Sequence, residues 1–356
     1  MIARIAVALR EGLGGAARVL IPAAILVTVL IVVIIASLGK DSGAVLSGFL
    51  NGALGSARSR ADVIMLAVPM LLCASGLLLT YTAGLWNIGV EGQVTMGAIF
   101  ATILARSVAA EDVSPLIVPA EILLAGVGGA LWAAATAFLR VRGGVNEIFG
   151  GVALNFISIN VLLWLLNGEW KSGTYPQTAD FAPGALLPTL PGSRLSPGGI
   201  ALALGVWLAV LLALRGTRWG LQLRAMGQNP RSAALLGVRT GRHIFLALMV
   251  CGALAGMAGA VQAIYVRGRL SPGISGGIGF MGILIVLLVN IRAGFVPFVA
   301  LAFAVVPIGS LKLASALDEG IKIDAALGNT FQGALVLAVL LANGYWVRRA
   351  SKRKPL

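Results

Sequence analysis

Ten apolar runs divide this chain, at about 19–38, 62–83, 85–106, 116–139, 148–167, 198–214, 244–266, 275–291, 294–313 and 326–347. Most approach the roughly 20 residues that a helix needs to cross a hydrocarbon core of about 30 Å. In lipid the backbone must satisfy its own hydrogen bonds, which a helix does. The chain is therefore read as an all-α, polytopic helical membrane protein with about ten transmembrane helices. Composition agrees where it decides. Only 11% of residues are charged and the mean hydropathy is +0.96, whereas about a quarter of a soluble domain is charged. The first run follows Arg4, Arg10 and Arg18 and has no small-residue cleavage site at its far end, so it reads as a retained span.

An even span count puts both termini on one side. If that side is cytoplasmic, the inner segments collect Arg140 and Arg142, then Arg215, Arg218, Arg224, Arg231, Arg239 and Arg242, and finally Arg348, Arg349, Lys352, Arg353 and Lys354. The outer segments carry most of the acids, among them Glu111, Asp112, Glu169, Asp180, Asp318 and Glu319. Excess Lys and Arg in short loops marks the inside, so both termini are expected in the cytoplasm. The net charge of +14 is thus spread over membrane-flanking loops and does not read as a nucleic-acid surface. Cys73 and Cys251 both fall within apolar runs, as small buried side chains do.

Inside the third run, Leu85 to Ala98 reads LWNIGVEGQVTMGA and carries Asn87, Glu91 and Gln93 among Gly89, Gly92 and Gly97. A carboxylate at membrane depth costs roughly 2.5 kcal/mol or more. Irregular, Gly-rich backbone survives there only when buried in protein or lining a water-filled cavity. The stretch reads as a pathway or site, against the alternative that Glu91 sits at headgroup level and the glycines serve helix packing. A second broken segment follows Val266, where RGRLSPGISGGIGFMGI places Pro272 and five nearby glycines before Phe280 and Gly282. Residues 62–167 and 244–347 then form two halves of four spans, each with a Gly-interrupted segment opening its second span. That is the pattern of an inverted repeat around a central pathway.

Two inner connections carry helix signals. Asn146 caps a helix starting at Glu147, and Asn155 follows about two turns later. In the 215–243 loop, Asn229 as cap, Pro230 at the first helical position and Gly237 beyond the end predict a short helix over about 230–236. A short exposed helix with an Ala/Leu face suits docking into a partner's groove; the alternative is that its arginines only enforce topology. His243 abuts the next span as an interfacial residue. Residues 1–61 are the first helix with an extracytoplasmic connection that includes a short interfacial helix. Residues 168–197, with Trp170, Tyr175 and Phe181, form an outer loop, either a small cap and protein contact or a solvated connection.

GLWNIGVEGQ at 84–93, GVNEIFGGVALNF at 144–156, RWGLQLRAMGQNPRSAALLGV at 218–238, CGALAGMAGA at 251–260 and SPGISGGIGFMGI at 271–283 together resemble the permease subunits of bacterial ABC importers. The resemblance is to the simple-sugar, ribose and branched-chain amino-acid superfamily, and the first motif looks most like its nucleoside-uptake branch. It extends from about residue 62 to 342. It implies a permease in the bacterial plasma (inner) membrane that passes on nucleosides delivered by an extracytoplasmic binding protein. It further implies a separate ABC ATPase subunit that holds ATP and Mg, and a second permease in a heterodimer, with no cofactor in this chain.

By the same resemblance, Arg224, Gly227, Asn229, Pro230, Ala233, Ala234 and Gly237 belong to the coupling helix region, with Asn146 and Glu147 at a second contact. Asn87, Glu91, Gln93, Asn155 and Phe280 line or support the substrate pathway. The family's Ser/Thr pair is here Gly150-Gly151, and its Gly-Arg-Asn-Pro-like stretch is here 289–294. No G-x-x-x-x-G-K-[ST] occurs, so an energy source on another chain is expected. A simple-sugar or branched-chain amino-acid permease is the alternative within the family. An ion-coupled secondary transporter using Glu91 and Glu121 is the alternative outside it.

Overall fold

The computed structural model describes residues 42–109, 111 and 114–316, and every regular element among them is helical. In chain order the α-helices are α1 (Ser42–Leu54), α2 (Ala57–Thr82), α3 (Val90–Ala105), α4 (Ile117–Val141), α5 (Glu147–Asn167) and α6 (Pro197–Gly216). They continue with α7 (Arg218–Gln228), α8 (Pro230–Leu235), α9 (Thr240–Val261), α10 (Ile278–Leu288) and α11 (Val296–Ala316). A π-helical turn, Gln262–Arg267, extends α9.

Six helical stretches are long and apolar enough to cross a membrane: Ala57–Thr82, Ile117–Val141, Glu147–Asn167, Pro197–Gly216, Thr240–Arg267 and Ala293–Leu311. They coincide with expected runs. The expected first and tenth spans, at 19–38 and 326–347, lie outside the described residues, as do the termini. The ten-span count and the full inverted repeat therefore extend beyond what the fold shows.

The runs at 85–106 and 275–291 are only partly helical. α3 has 16 residues and α10 has 11, so they reach about 24 Å and 17 Å, short of the hydrocarbon thickness. Both start late because the preceding chain is irregular. Residues 83–89 form no helix, and the approach to α10 carries positive φ at Gly268, Gly273, Gly276 and Gly277. Both breaks expected from the glycine pattern are therefore present.

The chain divides into two compact units. The larger holds residues 65–286 and 291–300, and α9 lies at its centre. A Cβ added at Gly256 would stand 2.1 Å from the Ala125 carbonyl oxygen, and one at Gly259 would stand 2.0 Å from that of Val94. A Cβ on Gly97 would meet the Gly256 Cα at 2.2 Å. Helices α3, α4 and α9 thus meet backbone to backbone. In lipid, where apolar surface drives no association, such close approach of small residues supplies the packing energy. α2 meets α9 the same way where Gly76 lies against Cys251, and Gly282 of α10 lies against Cys73. Both cysteines are free and buried.

Helix starts are fixed locally. The Asn146 side chain accepts from the Ile148 N–H, Ser196 from Gly199 ahead of Pro197, Thr217 from Gly220, and Asn229 from both Arg231 and Ser232. Each satisfies a donor that a helix end would otherwise leave open. The connections alternate between ends of the unit. Trp86 meets Glu147, Gly84 meets Gly227, and His243 meets Gln222, whereas the 168–197 segment meets residues 264–270. That alternation is the one the arginine distribution requires.

The 168–197 segment proves to be a packed cap. The N–H groups of Thr178, Phe181 and Leu187 donate to the carbonyls of Leu270, Gly268 and Ile264, at 3.0, 2.9 and 3.1 Å. Phe181, Ala185 and Leu187 are buried beneath it. In the smaller unit, α1 is the helix expected within residues 39–61. It buries Phe49, whose ring fills the space that Gly309 of α11 leaves open.

Gly256→Leu is expected to separate α4 from α9 and cost more than the about 1–3 kcal/mol of ordinary overpacking, because backbone is what it strikes. Gly205→Ala, with nothing within 4 Å, is the matched control. Size-exclusion profiles and thermal melts of the detergent-purified protein should show aggregation for the first and a wild-type profile for the second. Equal behaviour of the two would refute this packing.

Candidate functional site

The two broken segments meet at one side chain. Glu91 stands in the first turn of α3 and reaches the start of α10, where Oε1 accepts from the Gly277 N–H at 3.0 Å and Oε2 from the Gly279 N–H at 2.9 Å. A helix start presents unsatisfied donors and the positive end of the macrodipole, so a carboxylate there is well placed. Gly279 is required by the contact: its Cβ would lie 2.6 Å from Oε2. Glu91 is only 7% exposed, so the acid expected at membrane depth is neutralised by backbone dipoles from the other broken segment.

Asn155 secures the first break from the side. Its Nδ2 donates to the Ile88 carbonyl at 2.9 Å, and its Oδ1 accepts from the Gly92 N–H at 2.8 Å, so one amide clasps the chain on both sides of the α3 start. Asn155 lies about 12 Å along α5 from Glu147. Gly151, one turn earlier, touches Gly89 so closely that a Cβ would stand 2.6 Å from the Gly89 nitrogen. A Ser or Thr would not fit at Gly151, whereas a Cβ at Gly150 would meet nothing closer than 3.7 Å, so the contact accounts for the second glycine of the Gly150-Gly151 departure and not the first.

Asn87 and Gln93 form a reciprocal pair across the same break. Asn87 Nδ2 donates to Gln93 Oε1 at 3.0 Å, and Gln93 Nε2 donates to Asn87 Oδ1 at 3.1 Å. Asn87 Nδ2 also lies 3.2 Å from Cys251 Sγ on α9. Both amides are fully buried in this chain, so they brace the α3 start rather than present hydrogen bonds to a cavity. Phe280 differs: it is 45% exposed, as is Trp86. Glu121 is fully buried, and neither carboxylate oxygen has a hydrogen-bond partner among the described residues.

The second group of expected site residues gathers around α8, which spans Pro230–Leu235 as the cap and proline predict. Gly237 has φ of 83°, the left-handed conformation that ends a helix. Ala233 is buried against its own chain, whereas Ala234 is exposed and Leu235 and Leu236 are 90% and 82% exposed. Arg224 turns inward, donating from Nη2 to the Leu214 carbonyl at the end of α6. A Cβ on Gly227 would meet the Thr82 carbonyl oxygen at 2.2 Å, so the last turn of α7, just before α8, rests on the end of α2. At the other connection Arg140 Nε pairs with Glu147 Oε2 at 3.1 Å, and Glu147 Oε1 lies 3.4 Å from the Trp86 nitrogen.

Sequence reasoning missed that Gly277 and Gly279 are the partners of Glu91. Their signal was present as the glycine run, but nothing in linear order links residues 186 and 188 positions apart. It also missed Leu235 and Leu236 as the projecting side chains, and the use of both His243 ring nitrogens, toward Arg239 and Gln222.

Several curated proteins similar to this chain are named as ABC transporter permease proteins. A glucose ABC transporter permease protein of Haloferax volcanii is 32% identical over 81% of this chain and 77% of its own length. A nucleoside ABC transporter permease protein of Lactococcus lactis is 28% identical over 72% and 74%, and a guanosine ABC transporter permease protein of Bacillus subtilis is 26% identical over 75% and 78%. The model of one family, described as branched-chain amino acid transport system / permease component, matches residues 59–340. With most of the chain covered and its apolar helices in place, this multi-pass membrane protein belongs to that ABC transporter permease family.

Proposed function

We propose that the chain is one permease of an ATP-driven importer that moves nucleosides delivered by an extracytoplasmic binding protein. The observation that carries the ATP-driven reading is α8, a capped six-residue helix whose Leu235 and Leu236 project unpartnered from an arginine-rich loop. That shape fits the groove of a soluble ATPase subunit, which would hold ATP and Mg. A second permease completes the complex, as the two kinds of nucleoside permease among the similar proteins suggest. The termini lie in the cytoplasm of the bacterial plasma membrane under this reading, because α8 shares a face with the arginine-bearing connections.

The close contacts supply a route for the movement. ATPase closure pushes α8; Gly227 transmits that push to Thr82 and Gly84; the irregular 83–89 segment then shifts the α3 start, and Glu91 carries the displacement to α10. Each link is backbone contact or a charge-assisted hydrogen bond, with little slack. The named polar residues thus hold and move the passage wall, with Phe280 and Trp86 as its exposed aromatics. Glu91 is already committed to the α10 amides, which weighs against the ion-coupled carrier.

Four similar proteins are named for nucleosides or guanosine, and the LWNIGVEGQ motif supports the same class. One specific observation favours a second reading: the relative at 32% identity is named for glucose. Proteoliposomes with the full complex, internal ATP and the binding protein decide. Uptake of labelled nucleoside that unlabelled nucleosides suppress and glucose does not is the expected result. Competition by glucose alone would move the assignment to sugars.

Leu235→Asp with Leu236→Asp should abolish co-purification of the ATPase subunit while the membrane domain keeps its melting profile, since both side chains are solvent-facing. Retention of the subunit with normal uptake would remove α8 from the coupling role. Glu91→Gln loses a charge-assisted contact worth about 1.5–3 kcal/mol and turns an amide N–H₂ toward an N–H donor. Uptake is expected to fall by about tenfold or more while the ATPase subunit stays bound. Unchanged uptake would show that the link between the two broken segments is dispensable.

A further inference from the structure

Beside α8, a cavity of about 340 Å³ is lined by Trp219 and Gln222 of α7, by Gly237 and Arg239, and by Arg242, His243 and Leu246 of α9. Its lining holds two guanidinium groups and no carboxylate. The 22-residue helix α9 begins at this cavity, and no side chain caps its first turn. His243 is locked in the wall by its bonds to Arg239 and Gln222, each 2.9 Å. Two arginines and a helix start without a side-chain cap thus surround one concave space.

We infer that this cavity binds the phosphate of an anionic phospholipid headgroup. Its donors are arranged for an anion with several acceptor oxygens, and guanidinium forks suit phosphate. A free phosphate would use the same groups. The lipid is favoured by what leaves the cavity: Leu246 in its lining and Val250 one turn further along α9 are each 37% exposed. They form an apolar strip along a membrane-spanning helix, and an acyl chain can follow it while the headgroup occupies the polar end. Gly237, which ends α8, forms part of the wall, so an occupied site braces the segment proposed to meet the ATPase. The binding itself does not depend on which solute the complex carries.

The experiment is native mass spectrometry of the complete purified complex after exchange into phosphatidylglycerol or phosphatidylcholine, with a separate titration of inorganic phosphate. The wild type should retain phosphatidylglycerol preferentially. Arg239→Gln with Arg242→Gln should lower that retention by about tenfold or more, since each basic side chain near a lipid surface contributes roughly fivefold. Arg142→Gln with Arg215→Gln removes two charges of the same face that do not line the cavity and should lower it far less. The proposal is overturned by equal retention of the two lipids or by equal losses in the two double variants. It is also overturned if inorganic phosphate binds through Arg239 and Arg242 while no lipid does.

Discussion

The larger unit depends on the hydrogen bonds from the start of α10 to the Glu91 carboxylate. Two helices too short to span a membrane begin within the protein, and each start exposes backbone donors that lipid cannot satisfy. A single carboxylate answers both needs. It complements the first turn of its own helix and accepts the first amides of the other. The surrounding polar groups follow from that arrangement. Asn155 holds the chain entering α3, and Asn87 with Gln93 fills the remaining hydrogen-bonding capacity beneath it. Without the carboxylate, the glycine-rich approach to α10 would leave its amides open in an apolar interior.

How much of this was legible in the sequence varies with the range of the interaction. Helix α8 was readable almost to the residue because an N-cap, a proline and a left-handed glycine act within a few positions of one another. The two breaks were readable for the same reason. The partner of Glu91 was not, because a carboxylate's preference for helix amides does not say which helix. The buried pairing of Asn87 with Gln93 was equally hidden, although both stood out as polar residues in an apolar run. Ala233 shows a subtler limit. An Ala/Leu face was expected to dock, but the helix turns Ala233 inward and leaves Leu235 and Leu236 outermost, which periodicity over six residues cannot fix.

The departures from the family pattern have a physical basis where they touch the site. Gly151 lies so close to Gly89 that no side chain fits, and the approach lets Asn155 reach both flanks of the break. The same economy of size recurs at Gly97, Gly252, Gly256 and Gly259, where α9 is pressed against α3 and α4. A helix packed this tightly has few ways to slide, so displacement in this unit is better carried by rotation of the irregular segments than by shear between helices.

That constraint bears on where binding energy resides in the proposed cycle. Asn87, Gln93 and Asn155 have their hydrogen bonds filled within the chain, and Glu91 is occupied by the α10 start. A solute cannot recruit any of them without breaking a contact that holds a helix in place. Under the proposed function, the exposed rings of Phe280 and Trp86 would offer a passing nucleoside aromatic surface and little competition for its hydroxyls. On that reading, affinity would belong to the delivering protein, and the membrane domain would contribute a route that opens without retaining what it carries. A permease with a strong site of its own would have to spend part of each ATP cycle on emptying it, whereas a passage whose polar groups are already paired has only to move.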